Sequence, residues 1–407
     1  MEFQVSGDSI PSEFITDEMA RKLIGKPPAS GAWRDGDPAG DRKFTTSFDL
    51  KLESGKKLDD VKIAYETWGE LKPDGSNALL VLHALTGDSH AFGSATRAHP
   101  TAGWWNGVIG PGLAIDTDKF FVVAPNMLGG CQGSTGPTSL DKKGKEYGAR
   151  FPYITIRDQV GAQVELTKQL GIKKWKAIIG GSMGGMQVLE WAIEYPDAMD
   201  KIAVLAAPAF SNADQIALNS VQLEAIKADP AFNEGDYYDA AAGKGPYRGL
   251  ALARRMALLN YRSPEELNVR FERAWQSKVN PFGDGGRFAV ESYLDFHGNK
   301  FTRRFDANSY LTLVEAMNSH DVARGRGSIK KAISKIKAEI LLVGIDSDRL
   351  FPVPSQEVIS QSGPKKLFGN KLFVIKSDYG HDGFLIEADK VGKLLKRLLS
   401  SKPQPAL

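Results

Sequence analysis

Two glycines, a serine, a methionine and two more glycines interrupt an otherwise apolar run at residues 177–191, "AIIGGSMGGMQVLEW". Glycine loses more conformational freedom on folding than any other residue, so four of them around one hydroxyl answer a steric demand. Residues 176–180 read as a strand and 186–195 as a helix, which sets Gly180-Gly181-Ser182-Met183-Gly184 on a sharp strand-to-helix turn. On such a turn the residues two before and two after the serine come close enough that side chains would collide. Ser182 then stands at a helix N-terminus, and the Met183 amide faces the place where an oxyanion would form. The chemistry on offer is nucleophilic attack by a serine hydroxyl. A phosphate cradle is the other use of a glycine-rich turn, but the G-K-[ST] that completes one does not follow.

A serine hydroxyl attacks only when a base takes its proton and a carboxylate orients that base. Of six histidines, His381 alone combines a late position with a glycine-flanked loop after a strand-like run, in "FVIKSDYGHDGFLIE". "LLVGIDSDRLFP" puts Asp346 and Asp348 after another strand-like run; Asp348 is the expected orienter, with Asp346 as the second choice or a turn cap. A second oxyanion donor is expected from the loop "LHALTGDSHAFG", where Leu85 or Thr86 offers a backbone N–H.

These groups need a rigid frame. Strand-like runs recur at 46–52, 61–68, 78–83, 119–124, 176–180 and 201–206, with helical patterns at 156–170 and 186–195. That alternation predicts a mostly parallel sheet covered on both faces. It stops after Pro208 for a helix-rich stretch to about Gly327, then resumes at 339–344 and 371–375 before an amphipathic helix near 390–399. The expected organisation is a core of residues 43–207 and 328–407, a helical lid at 208–327, and a loosely attached, Pro/Gly/Ser/Asp-rich extension at 1–42.

The chain has 407 residues, 42% hydrophobic and 25% charged, which excludes collagen-like, disordered and membrane-spanning classes. Net charge is +3 with the basic residues scattered, so nucleic acid is not an expected partner. One cysteine, Cys131, precludes an internal disulfide and reads as a small buried residue. The first residues lack the pattern of a secretory signal, and no apolar run reaches the roughly 18–20 residues that span a bilayer, so a cytoplasmic protein is expected.

The blocks "HALTGDSH" (83–90), "GWWNGVIGPGLAIDTDKFFVVAPNMLGGCQGSTGPTSL" (103–140), "FPYITIRDQV" (151–160), "GGSMGGMQVLEWA" (180–192), "ARRMALLNYRSPEEL" (253–267), "AVESYLDFHGNKFTRRFDANSYLTLVEAMNSHDVARGRG" (289–327), "DSDRLFP" (346–352) and "YGHDGFLIE" (379–387), in this order, resemble the homoserine O-acetyltransferase family of α/β-hydrolase-fold enzymes. The resemblance runs over about residues 44–399. It implies an α/β-hydrolase fold with an inserted lid, and a triad of Ser182, Asp348 and His381. It implies that Arg254 meets a substrate carboxylate, that Tyr261 and Thr86 line the amino-acid site, and that Asp382 lies toward the amino group. The implied substrates are acetyl-CoA and L-homoserine, with no bound cofactor or metal, in methionine biosynthesis; the implied assembly is a homodimer through the lid helices. Transfer of succinyl, transfer to serine, and hydrolysis by an esterase of the same fold stay open.

Overall fold

A computed structural model describes residues 23–401. Eight strands form the main sheet: β1 (Lys43–Phe44), β2 (Ala64–Trp68), β3 (Ala78–Leu82), β4 (Phe121–Pro125), β5 (Trp175–Gly181), β6 (Met199–Leu205), β7 (Glu339–Ile345) and β8 (Phe373–Ile375). Their spatial order is β1-β2-β4-β3-β5-β6-β7-β8. Strands β1 and β2 pair antiparallel, as do β2 and β4; every other pairing is parallel. Near-continuous apolar strands such as "ALLVL" in β3 are what a sheet buried on both faces requires. Alternate side chains accordingly split between two clusters: Leu80 and Leu82 pack with Val160 and Val188, whereas Leu79 and Val81 pack with Val391 and Leu395.

Helices α1 (Ile156–Gln169) and α2 (Met183–Glu194) supply the first face. The capping box expected of "T-x-x-D" is formed at Thr155 and Asp158, so α1 starts where its first free amides are satisfied. The lid holds α3 (Ala213–Lys227), α4 (Tyr247–Tyr261), α5 (Pro264–Phe271), α6 (Ala289–Phe301) and α7 (Ala307–Asn318). Its two ends meet in a neck: Ser211 N–H donates to the His320 carbonyl at 2.9 Å and Val322 N–H to that of Ala209 at 3.0 Å. Near the C-terminus, α8 (Val353–Gln361) follows β7, and α9 (Ala388–Ser400) covers the second face.

Three expectations need correction. The run at 46–52 yields a strand, Phe48–Lys51, but it pairs with Lys57–Val61 in a separate two-stranded sheet. The run at 61–68 is two pieces, because the amides of Lys62 and Ile63 turn aside to the Thr135 and Thr45 hydroxyls before β2 begins. Residues 1–22 of the extension lie outside the described residues, but its later part is docked, not loosely attached. Gly31 N–H donates to the Phe305 carbonyl (3.1 Å), Trp33 N–H to that of Cys131 (3.0 Å), and Ser30 Oγ to Asp306 Oδ1 (2.8 Å). The extension therefore behaves as an arm tying lid to core. Among the described residues no helix is long and apolar enough to cross a membrane.

Candidate active site

The carboxyl ends of the central strands are in register: Gly181 of β5 is level with Leu205 of β6, which is level with Val343 of β7, and Ile345 is level with Ile375 of β8. The loops leaving β5, β7 and β8 thus open on one edge, where open α/β sheets bind ligands. Ser182 follows β5 directly, with φ 56° and ψ −125°. A left-handed φ is costly for a residue with a Cβ, so the elbow must be held. Its N–H donates to the Leu205 carbonyl at 2.9 Å, and its carbonyl accepts from Met186 N–H at 3.1 Å.

The glycines answer for the crowding. A Cβ on Gly180 would stand 2.5 Å from the Gly184 carbonyl, and one on Gly184 would stand 2.2 Å from the Leu82 oxygen. Gly181 and Gly185 are equally confined, by Phe384 and Ala207. Helix α2 starts at Met183, three residues before the sequence pattern suggests, because the elbow passes straight into the first helical turn.

Three buried side chains are linked in line. His381 Nε2 lies 2.8 Å from Ser182 Oγ, and His381 Nδ1 lies 2.7 Å from Asp348 Oδ2. The other Asp348 oxygen accepts the amides of Leu350 (2.8 Å) and Phe351 (2.9 Å), which fixes the carboxylate. Asp346 instead accepts the Ser377 amide at 2.9 Å and caps the neighbouring loop. Burial alone would lower the His381 pKa; the Asp348 charge and hydrogen bond, with Asp382 beyond, outweigh it and raise the pKa above the ordinary histidine value. The arrangement can take a proton from Ser182 and hold it on the imidazole.

Leu85 and Thr86 are the central residues of a turn closed by Gly87 N–H to the Ala84 carbonyl at 2.9 Å. Among the described residues neither the Leu85 nor the Met183 amide has an acceptor. Both residues are buried; Met183 adjoins Ser182, and Leu85 lies just past the Leu82 and His83 carbonyls that pack against Gly184, so the two amides are candidates to meet a developing oxyanion.

A cavity of ≈ 380 Å³ is lined by Thr86, Arg254, His297, Lys300, Phe301 and Arg304, with Pro100, Thr101 and Arg303. The Arg254 guanidinium lies 5.4 Å over the Tyr261 ring and 5.1 Å over that of Phe301, with one nitrogen 3.5 Å from Thr86 Oγ1. Tyr261 in turn packs 5.9 Å from the His381 ring, so the cavity wall reaches the triad through one aromatic side chain. Thr86, Arg254 and Tyr261 are therefore brought together. Asp382 is already paired, its Oδ2 3.3 Å from Arg262 Nε. His297 is held down to about 3, by burial first and then by Arg254, Lys300 and Arg262, so the cavity is a field of positive charge with a neutral imidazole inside it. Sequence reasoning missed Arg262, His297 and the Arg304–Asp88 pair, because nothing in their local spacing marks them.

Among the described residues, one group with metal-ligating potential lies elsewhere: Asp41, Glu66, His90 and His99 have ligand atoms within 4.8 Å of one another. They are engaged with one another and their neighbours. His90 Nδ1 is 2.8 Å from Glu66 Oε2, Ser89 Oγ donates to Glu66 Oε1, and Asp41 N–H donates to His99 Nε2 at 3.2 Å. The imidazoles of His90 and His99 stack 4.0 Å apart, so no ion could lie in both ring planes. The cluster pins the arm. Cys131 is buried and its thiol is pushed up to about 12 by burial, which leaves it a packing residue.

A family model described as alpha/beta hydrolase fold matches residues 77–388. The homoserine O-acetyltransferase of Clavibacter michiganensis subsp. michiganensis is 63% identical over 387 residues, covering 95% of this chain and 100% of the relative. Among solved structures, the homoserine O-acetyltransferase from Bacillus anthracis is 27% identical, with a TM-score of 0.80, covering 89% of this chain and 98% of that one. The acetyl esterase MekB is also 27% identical, with a TM-score of 0.74, covering 89% and 97%. By fold, by the strand-edge setting of its serine and by these similarities, the chain belongs to the homoserine O-acetyltransferase family of α/β-hydrolase-fold acyltransferases.

Proposed function

We propose that this chain transfers the acetyl group of acetyl-CoA to the hydroxyl of L-homoserine, through an acetyl-serine at Ser182. His381 takes the Ser182 proton as the oxygen attacks the thioester carbonyl. The oxyanion is stabilised by the Leu85 and Met183 amides, and His381 protonates the departing thiolate. Homoserine then enters; its hydroxyl gives a proton to His381 and attacks the ester, which returns Ser182 as the free alcohol. Arg254 receives the substrate carboxylate beside Thr86 and Tyr261, and Asp382 the ammonium group.

The observation that carries this reading is the contact chain Ser182–His381–Asp348 next to a cavity walled by basic side chains. A plain esterase needs no such wall. Both proposed substrates are anionic where they would meet it, one through a carboxylate and the other through phosphates. The esterase reading is kept in view by the likeness to MekB. We further propose a cytoplasmic homodimer joined through the lid.

Intact-protein mass decides between these readings. Mixing with acetyl-CoA alone should add one acetyl group to the wild type and none to Ser182→Ala, and homoserine, not serine, should discharge it. Labelling by succinyl-CoA alone would overturn the donor; discharge at the same rate with and without homoserine would favour the esterase. Arg254→Ala should abolish transfer while leaving thioester hydrolysis, and unchanged transfer would remove Arg254 from the acceptor site.

A further inference from the structure

An oxyanion amide acts only if its loop is held still, and the turn at 84–87 is held from two sides. On the strand side is His83, buried, with its Nε2 accepting Met127 N–H at 3.1 Å. The other nitrogen must then carry the proton, and it donates to the Ala84 carbonyl at 2.7 Å. On the far side is a single guanidinium from the lid. Arg304, in the turn between α6 and α7, donates one nitrogen to the Thr86 carbonyl and another to Asp88 Oδ2 at 2.9 Å. One planar fork thus grips both residues that flank Gly87, a geometry lysine cannot reproduce.

Asp88 is itself fixed. Its second oxygen accepts His90 N–H at 2.9 Å and its carbonyl accepts Trp104 Nε1 at 3.0 Å. The Arg304 backbone is fixed in turn. Its N–H donates to the Phe301 carbonyl, its carbonyl accepts Gln132 Nε2 at 2.7 Å, and Gly31 of the arm lies so close that a Cβ there would stand 2.5 Å from the Arg304 nitrogen.

We infer that Arg304 is a positioning residue: it sets the Leu85 amide against Ser182 from the lid, and the N-terminal arm at Gly31 sets Arg304. The inference rests on the proposed acyl-serine reading. It adds that the lid completes the oxyanion site in addition to shaping the acceptor pocket.

The test uses the full chain and p-nitrophenyl acetate, a neutral donor with no phosphates. Its acetyl group passes to Ser182 with release of nitrophenolate. The amplitude of the nitrophenolate burst counts competent sites; its rate reports acylation at each site. Arg304→Gln should keep the amplitude and slow the burst by about 10- to 100-fold, less than deletion of an oxyanion donor outright. Arg304→Lys should recover little of the loss. Gly31→Ala, which leaves the guanidinium intact, should slow the burst in the same direction.

An unchanged burst rate in Arg304→Gln, with a raised KM for acetyl-CoA, would overturn the inference and make Arg304 a donor-binding residue. A lost amplitude at an unchanged rate per site would overturn it in favour of a role in folding alone. If Arg304→Gln does not fold, Asp88→Asn, which removes one side of the fork's grip, gives the same reading. A wild type that shows no burst and gains no acetyl group in intact-protein mass, with no free coenzyme A released from acetyl-CoA, would sink the acyl-serine reading itself, a separate failure.

Discussion

His381 is pulled in two directions, by burial toward the neutral ring and by Asp348 toward the cation, and the second wins. The sign of the resulting pH dependence follows. Only the neutral imidazole can take the Ser182 proton, and a raised pKa keeps the ring protonated to higher pH. The acid limb of kcat/KM should therefore lie above the ordinary histidine value of about 6.5. Asp348→Asn removes the nearer charge and leaves burial opposed by Asp382 alone, so the limb should move below that of the wild type. The rate should fall by about 10³- to 10⁴-fold, as expected when the orienting carboxylate of a triad is neutralised. A pH–rate profile of the nitrophenyl acetate burst in both proteins checks this. A limb that moved up in the variant would show that Asp348 is not the group that raises the pKa.

The central element is the junction of β5 and α2, where a seven-residue strand meets a helix through one residue of left-handed backbone. Its stability depends on the absence of side chains at Gly180 and Gly184 more than on any contact made there. Gly184→Ala forces a methyl against the Leu82 carbonyl, which belongs to the neighbouring strand β3 and cannot rotate away. The expected loss is about 3 kcal/mol, the upper end for overpacking, read as a lower urea midpoint at unchanged slope. Gly171→Ala is a control of a different kind: φ is +68° but the space is open, so only backbone strain is paid and the loss should be smaller. Equal losses at the two sites would mean that crowding is not what the elbow glycines serve.

At the scale of the whole molecule, lid, arm and core are interlocked. The lid neck, the arm's bonds to Phe305 and Cys131, and the Arg304 fork all cross between segments far apart in the chain. The lid also presents apolar side chains to solvent, Ile216 and Val221 on α3, Leu252 and Leu259 on α4. Exposed apolar side chains on the lid fit the proposed homodimer. Light scattering after size exclusion should give twice the chain mass, and Val221→Glu with Leu252→Glu should return it to that of one chain. A wild type of single-chain mass would overturn the dimer.

Much of this was legible from the sequence by itself, and for a local reason. The demand for glycine around Ser182 acts over five residues. The alternation of strand and helix acts over thirty, and its break after Pro208 needs no knowledge of what the following segment touches. Those constraints act between neighbours in the chain, so composition and spacing carry them. Other features were decided only by the tertiary structure. Asp346 and Asp348 follow the same strand two residues apart, and the pattern ranks them without showing a contact. The turn separates them by giving the amides of Leu350 and Phe351 to one and that of Ser377 to the other. The arm has no hydrophobic period to read, because its attachment is made largely through backbone groups to partners such as Cys131 and Phe305. The grip of Arg304 on Thr86 and Asp88 spans more than two hundred residues, and its spacing carries no signal. Hydrogen bonds of that reach are fixed by how the segments pack, and packing is a property of the folded chain.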